Sequence, residues 1–338
     1  VNLFKAELRR ILRRRLSLIF GIVAVAGLLV LCTLVWFNSS TGPTESDLAE
    51  AQAQADELNR QYEDCLADEE FFESDEWLWV TDDPMSEDMS HTELCDMYIG
   101  NQQFTAADFL WVYTFDFSEE GVFMLIGVAI VAGLIMMMLS SSAIGAEWSS
   151  GGMSNLLVWH PNRMRVWGSK LAAASLVCAA SVVGLLAVGF GLLYLTASVR
   201  GEVGTLDGPW WDENLAVLGR TAVLTLGMTV LGASLAMLGR HTAIAGGVIA
   251  GYLVVGDLLV QIAGGALKVP FPDRLSLYTW VMAWINGKIE LYDWSATTSS
   301  SMPDIMVITS SEAGLLLGGV VLLFAVLATW SFQRRDVA

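Results

Sequence analysis

Side chains able to do acid–base, nucleophilic or metal chemistry are scattered along this sequence. The three histidines, His91, His160 and His241, stand in three separate segments. There is no GxSxG to present a serine nucleophile, no HExxH to hold zinc and no GxxxxGK[ST] to cradle a nucleotide phosphate. No catalytic residue, metal ligand or cofactor site is therefore assigned to this chain, and energy for any work must come from a partner. The four cysteines lack CxxC or CxxH spacing. Cys32 and Cys178 lie in apolar runs, whereas Cys65 and Cys95 share an acidic stretch. A disulfide between them is expected if that stretch is outside the cytoplasm, and it would add roughly 2–4 kcal/mol by restricting the unfolded loop.

Two charges fall inside apolar runs: Arg220 and Asp257. Counted at a helical rise, they lie about 27 Å and about 22 Å from the same end of consecutive antiparallel spans, a difference an arginine side chain covers. An Arg220–Asp257 ion pair is expected, because an unpaired charge at that depth is costly. It reads as a structural tie in preference to a gate or proton relay. Met136, Met137 and Met138 point three ways around a helix, which suits packing better than a soft metal.

The elements that must position these groups are membrane spans. Of 338 residues 54% are hydrophobic and 16% charged, a composition for an integral membrane protein. A bilayer core of about 30 Å asks for about 20 apolar residues. Six stretches qualify, 16–37, 121–144, 171–197, 215–238, 242–263 and 313–332, so the expected fold is an all-α polytopic membrane protein. The first run is long and lacks a small-residue cleavage site, so it reads as a retained helix.

The net charge of −18 is regional. Residues 38–120 hold 23 acids against Arg60 alone, while the remainder holds 17 bases and 13 acids. The segments 1–15, 145–170, the turn at Arg240 and the tail 333–338 carry 12 bases, against five in the opposite loops. Positive charge resists translocation, so the base-rich side is cytoplasmic, with both termini there and the protein in the plasma membrane. The segments 38–120, 198–214 and 264–312 are then outside.

In "VNLFKAELRRILRRR", Leu3, Phe4, Leu8, Ile11 and Leu12 recur at helical spacing between Lys5, Arg9, Arg10, Arg13, Arg14 and Arg15. That suits an amphipathic elbow helix lying among lipid headgroups; an ordinary positive-inside flank is the plainer reading. In the acidic segment, Leu48, Ala51, Ala55, Leu58, Tyr62 and Cys65 form a short a/d-like seam, and Ser90 with Glu93 resembles a capping box. Its carboxylates lack ordered calcium-ligand spacing and read as a solvated face. Trp77 and Trp79, Trp210 and Trp211, and Trp280 and Trp284 read as interfacial anchors.

Between the second and third spans lies "GAEWSSGGMSNLLVWHPNRMRVWGSK". Gly151 and Gly152 break the chain, "MSNLLVWH" reads as a short helix offering Met153, Leu156, Leu157 and Trp159, and Pro161 stops it. Such apolar residues in a cytoplasmic loop need a partner or the membrane interface to cover them.

This segment resembles the coupling segment of type-2 ABC transporter permeases, E-x-x-x-G-T-x-x-x-L-L followed by P-x-x-R and a closing G-K. Glu147, Gly151, Leu156, Leu157, Arg163 and Lys170 fall in register. Gly152 stands where Thr is usual, Pro161 comes one place late, and Ser169 replaces the final Gly. The resemblance extends to the elbow, the six spans and an outer segment whose short helices, within 271–288 here, dip toward the membrane. It implies a permease subunit of an exporter for a lipid, drug, antibiotic or peptide. It would pair with a second permease chain and two cytoplasmic ATPase subunits that bind ATP and Mg, with membrane lipid around it and no nucleic acid. The rival readings are a scaffold or sensor binding a partner through the acidic domain, and a proton-coupled secondary transporter using Asp257.

Overall fold

In a computed structural model of the chain, the described residues are 3–73, 77–81, 89–100, 103–241, 246–248, 251–267, 269–293 and 303–334. The longer helices are α1 Leu3–Leu12, α2 Arg15–Asn38, α3 Glu45–Ala67, α4 His91–Cys95, α5 Val122–Ser149 and α6 Gly152–Trp159. They are followed by α7 Arg163–Arg200, α8 Gly208–Gly239, α9 Asp257–Ala266, α10 Leu277–Asn286 and α11 Ser310–Arg334. Among the described residues, five helices are long and apolar enough to cross a membrane: α2, α5 with its π-helical lead-in from Phe117, α7, α8 and α11. The remaining expected span, 242–263, includes residues 242–245 and 249–250, which lie outside the described ones. Its described part is a π-helical turn, Tyr252–Gly256, running into α9.

The chain forms two compact units: residues 1–35, 116–199 and 203–338, and residues 36–115 with 200–202. In the first, α8 packs against both α5 and α11. Along α8, Thr221, Thr225 and Thr229 are fully buried at steps of four. Their hydroxyls are satisfied inside the helix: Thr221 donates to the Val217 carbonyl at 2.9 Å and Thr229 to the Thr225 carbonyl at 2.9 Å. A small polar side chain can therefore line an apolar contact without an unmet donor. Ser140 of α5 crosses to the Thr229 carbonyl at 2.8 Å. At Gly232 the backbones meet, since a Cβ there would lie 2.4 Å from the Met137 carbonyl oxygen.

The all-α expectation needs one correction. After a 3-10 turn at Pro272–Leu275 and α10, β1 (Lys288–Asp293) pairs antiparallel with β2 (Asp304–Thr309), Lys288 opposite Thr309 and Asp293 opposite Asp304. Leu291 and Ile308 are buried with Ala283 of α10 and Ala313 of α11. "KIELYD" places Ile289 and Leu291 at alternate positions, which suits a half-buried pleated strand, and in the continuous apolar run of "DIMVIT" the inward Met306 and Ile308 alternate with exposed Ile305 and Val307.

In the second unit, α3 starts at a capping box between Thr44 and Asp47, and α4 at the expected one between Ser90 and Glu93. Ala51, Ala55 and Cys65 of the seam are buried, but Leu48, in the first turn of α3, is exposed. Cys65 and Cys95 form the expected disulfide, inside a core with Phe72, Val80 and Ile99. Trp77 packs on this core beside Phe71 and Phe72. Of the other expected anchors, Trp210 donates to the Ser118 carbonyl at 2.9 Å, Trp280 to the Arg274 carbonyl at 2.8 Å and Trp284 to the Arg220 carbonyl at 2.8 Å, while Trp79 and Trp211 are exposed.

Candidate functional site

The ends of α5 and α7 that flank α6 carry two residues of the coupling-like motif, Glu147 and Lys170, and both are buried. α1 supplies the rest of a charge cluster. Lys170 Nζ lies 2.8 Å from Glu7 Oε1 and 2.6 Å from Glu147 Oε2. Arg10 Nη1 donates to Glu147 Oε1 at 2.7 Å and sits 3.8 Å from Glu7. Two carboxylates are thus balanced by an ammonium and a half-exposed guanidinium. Glu147 Oε2 makes no hydrogen bond of good geometry, so its short approach to Lys170 is a contact of charges. Arg14 donates to the Ala143 carbonyl at 3.3 Å. Burial holds its guanidinium below the ordinary arginine value, opposed by the attraction of Glu147.

Helix periodicity explains the geometry. In α1, Glu7 shares the buried stripe with Phe4, Leu8 and Ile11, while Lys5, Arg9, Arg13 and Arg15 are exposed. Glu7 was missed by reading the segment as a basic run. Its signal was an acid on the apolar stripe, three residues after Phe4 and four before Ile11, a position that demands a buried cation. The adjoining cavity, about 10 Å³ and bordered by Ser140, Ala143 and Ala174, has room for about one water. The cluster is a clamp between elements, and among the described residues the space beside it has room for a water and not a substrate.

Gly151, at φ +69°, turns the chain from α5 into α6 in the left-handed region that glycine adopts without strain. Pro161 follows the last turn and limits α6 to eight residues. Met153 is fully buried among Ile144, Val166, Trp167 and Phe332, and Leu156 and Leu157 are partly buried on the same core. Of the four residues expected on the open face, Met153, Leu156 and Leu157 turn inward instead, while Trp159 is exposed as expected, 77%, beside Val158 at 79%. An eight-residue helix lying against a core presents one stripe inward, and Met153, Leu156 and Leu157 occupy it.

Arg163 turns inward as well. Its Nη1 donates to the carbonyls of Phe332 and Gln333 at 2.9 and 3.0 Å, satisfying the last carbonyls of α11, where a cation is favoured. Trp167 Nε1 donates to Thr329 at 3.0 Å. The Arg240 guanidinium lies 4.6 Å from the Trp148 ring centroid, and that indole donates to Met237 sulfur at 3.3 Å. The ends of α5, α7, α8 and α11 around α6 are thereby fastened to one another.

The Arg220–Asp257 pair is not formed. Asp257 accepts a hydrogen bond from Ser276, and the Arg220 guanidinium lies beside Gly287 at the end of α10. The depth count assumed a continuous helix through 242–263. In the structure Asp257 follows a π-helical turn and meets the segment that leads into α10. Elsewhere, Cys65, His91 and Cys95 bring potential metal-ligand atoms within 4.8 Å of one another, but the disulfide engages both sulfurs.

No curated protein matches the chain. The sequence profile of the family described as "ABC-2 family transporter protein" matches residues 1–337. With long apolar helices and a buried clamp around a short intervening helix, and with the profile spanning nearly every residue, the chain belongs to the ABC-2 family of transporter proteins, as a membrane permease component.

Proposed function

We propose that the chain is the transmembrane subunit of an ATP-driven exporter of an amphiphile, working as a pair of permease chains with two cytoplasmic ATPases that carry ATP and Mg. α6 is its coupling helix, α1 its interfacial elbow, and residues 38–120 an extracytoplasmic domain. Both termini and α6 are cytoplasmic, and six spans complete the membrane part.

The observation that carries this reading is the exposed Val158–Trp159 edge of α6, backed by a buried ionic clamp. An exposed indole on a short helix is a contact for a protein surface, since aromatic rings anchor interfaces. Movement of α6 is passed to α5 and α7 through Gly151 and the Met153 contacts, and to α1 through Glu147 and Lys170. A buried charge cluster suits this role because it holds one arrangement sharply: separating any member strands a charge.

The test is co-purification with an ATPase subunit and measurement of coupled ATP turnover. Trp159→Ala with Val158→Ser should leave folding within about 0.5 kcal/mol, as exposed substitutions do, while abolishing capture or coupling. Capture and turnover at wild-type levels would overturn the assignment of this edge.

A further inference from the structure

Arg220 stands about 18 Å along α8 from Gly208 and about 28 Å from Gly239 at the helical rise. It lies within a helix of membrane-spanning length. Among the described residues its guanidinium donates no hydrogen bond and joins no ion pair, and its Nε is buried without a partner. The carboxylate expected to neutralise it, Asp257, is engaged by Ser276.

Its surroundings crowd the residue without satisfying its side chain. The Arg220 carbonyl accepts from Trp284 Nε1 at 2.8 Å, and the neighbouring Thr221 is fully buried and bonded within its own helix. At the other end, a Cβ on Gly287 would come 3.2 Å from Nη1 and 3.6 Å from Nη2. Gly287 caps the C-terminus of α10. The partial negative charge of those terminal carbonyls favours a cation there, but it leaves the planar set of N–H donors unfilled. One turn to either side of Arg220 on α8, Ala216 and Val223 present exposed apolar side chains.

A half-buried guanidinium in an apolar span is expensive to keep without a counter-charge. Its fork of donors matches an oxyanion in two parallel hydrogen bonds. We infer that Arg220 binds the anionic headgroup, phosphate or carboxylate, of an amphiphile whose apolar part lies along the adjoining aliphatic surface. This deepens the transport reading by naming a substrate class, and it rests on that reading in taking α8 as a span.

The test uses the full chain in phosphatidylcholine nanodiscs doped with phosphatidylglycerol, with bound lipid counted by native mass spectrometry. Arg220→Gln should weaken phosphatidylglycerol retention about tenfold, the scale of one charge-assisted contact, and Arg220→Lys should restore part of it. Phosphatidylcholine retention should not change. Because the elbow's bases are common to all variants, only the difference at position 220 counts. Arg220→Met, which removes the charge and keeps an unbranched side chain, repeats the comparison if Arg220→Gln does not fold.

Inorganic phosphate distinguishes the source of the anion. No displacement by it supports an amphiphile headgroup, whereas displacement as effective as by the lipid overturns the amphiphile in favour of a free oxyanion. Equal phosphatidylglycerol retention in wild type and the uncharged variants overturns the site. So does loss of a chain dimer with lipid retention unchanged, which would assign the guanidinium to a carboxylate of a second copy. The measurement needs no ATP turnover, so failure to capture an ATPase and failure of lipid selectivity are separate results.

Discussion

Lys170 is the residue on which the buried clamp depends, because its ammonium is the one fully buried cation between Glu7 and Glu147. Replacing it with Met leaves the two buried carboxylates to half-exposed Arg10 and the attraction of Arg14. Removing one partner of a buried pair costs roughly 3–5 kcal/mol, so Lys170→Met should lower the unfolding transition of the detergent-purified chain by that order. An unchanged transition would mean that water already screens the cluster. In the acidic unit, Glu93 shows the opposite regime. Its carboxylate accepts from the Ser90 hydroxyl at 2.7 Å and the Ser90 backbone N–H at 2.8 Å, and these bonds, the side-chain one first, hold its pKa below the usual glutamate value. A lowered carboxylate pKa stabilises the fold above the unfolded-state value and loses that contribution as pH falls through the folded-state value. Wild type should therefore be more stable than Glu93→Ala at neutral pH, with their unfolding curves converging on acidification. A gap that persists unchanged well below pH ~4 would exclude the cap as its cause.

At the scale of elements, the close contact of α5 and α8 depends on residues too small to attract attention in an apolar run. A methyl at Gly232 meets the Met137 carbonyl at 2.4 Å, a backbone atom that cannot move aside alone, whereas at Gly227 the nearest atom is a Val321 methyl at 3.5 Å. Gly232→Ala should reduce the folded yield sharply, and Gly227→Ala, on the same helix, should be neutral or slightly stabilising, since alanine suits a helix better. Fluorescence-detected size exclusion of both variants reads this directly. Equal yields would show that the two helices can separate freely. The Thr221, Thr225 and Thr229 ridge and the Gly232 notch have a common spacing of about one turn. In sequence the ridge is hidden, because threonine in a span reads as a tolerated polar residue until its partner helix is known.

For the molecule as a whole, the division into two units assigns its stabilising devices by environment. In the acidic unit the core is small, and the Cys65–Cys95 bond reinforces it. Reducing that bond, or making Cys65→Ser with Cys95→Ser, should cost this unit roughly 2–4 kcal/mol. Protease susceptibility within 38–115 should rise, while the helices of the other unit stay protected. Equal susceptibility with and without the bond would remove its assigned role. A non-reducing digest should contain the Cys65–Cys95 peptide.

The sequence by itself determined whatever depends on local composition and spacing. Apolar runs long enough to span, the acidic segment between the first two, the cap at Ser90, the stop at Pro161, the disulfide and the short helix between α5 and α7 were all legible. Each is governed by chain neighbours or, for the disulfide, by being the two cysteines outside the apolar runs. Only tertiary structure decided which side chains are shared between distant segments. Glu7 meets Lys170 across 163 positions, Arg163 caps a helix 169 residues away, and the exposed edge of α6 is Val158 and Trp159, because Leu156 and Leu157 have a core to cover them. Arg220 and Asp257 took other neighbours, since a π-helical turn and a folded outer segment changed the geometry that a straight-helix count assumed. A buried charge finds its partner through packing in three dimensions, and residue spacing along one helix does not encode that packing.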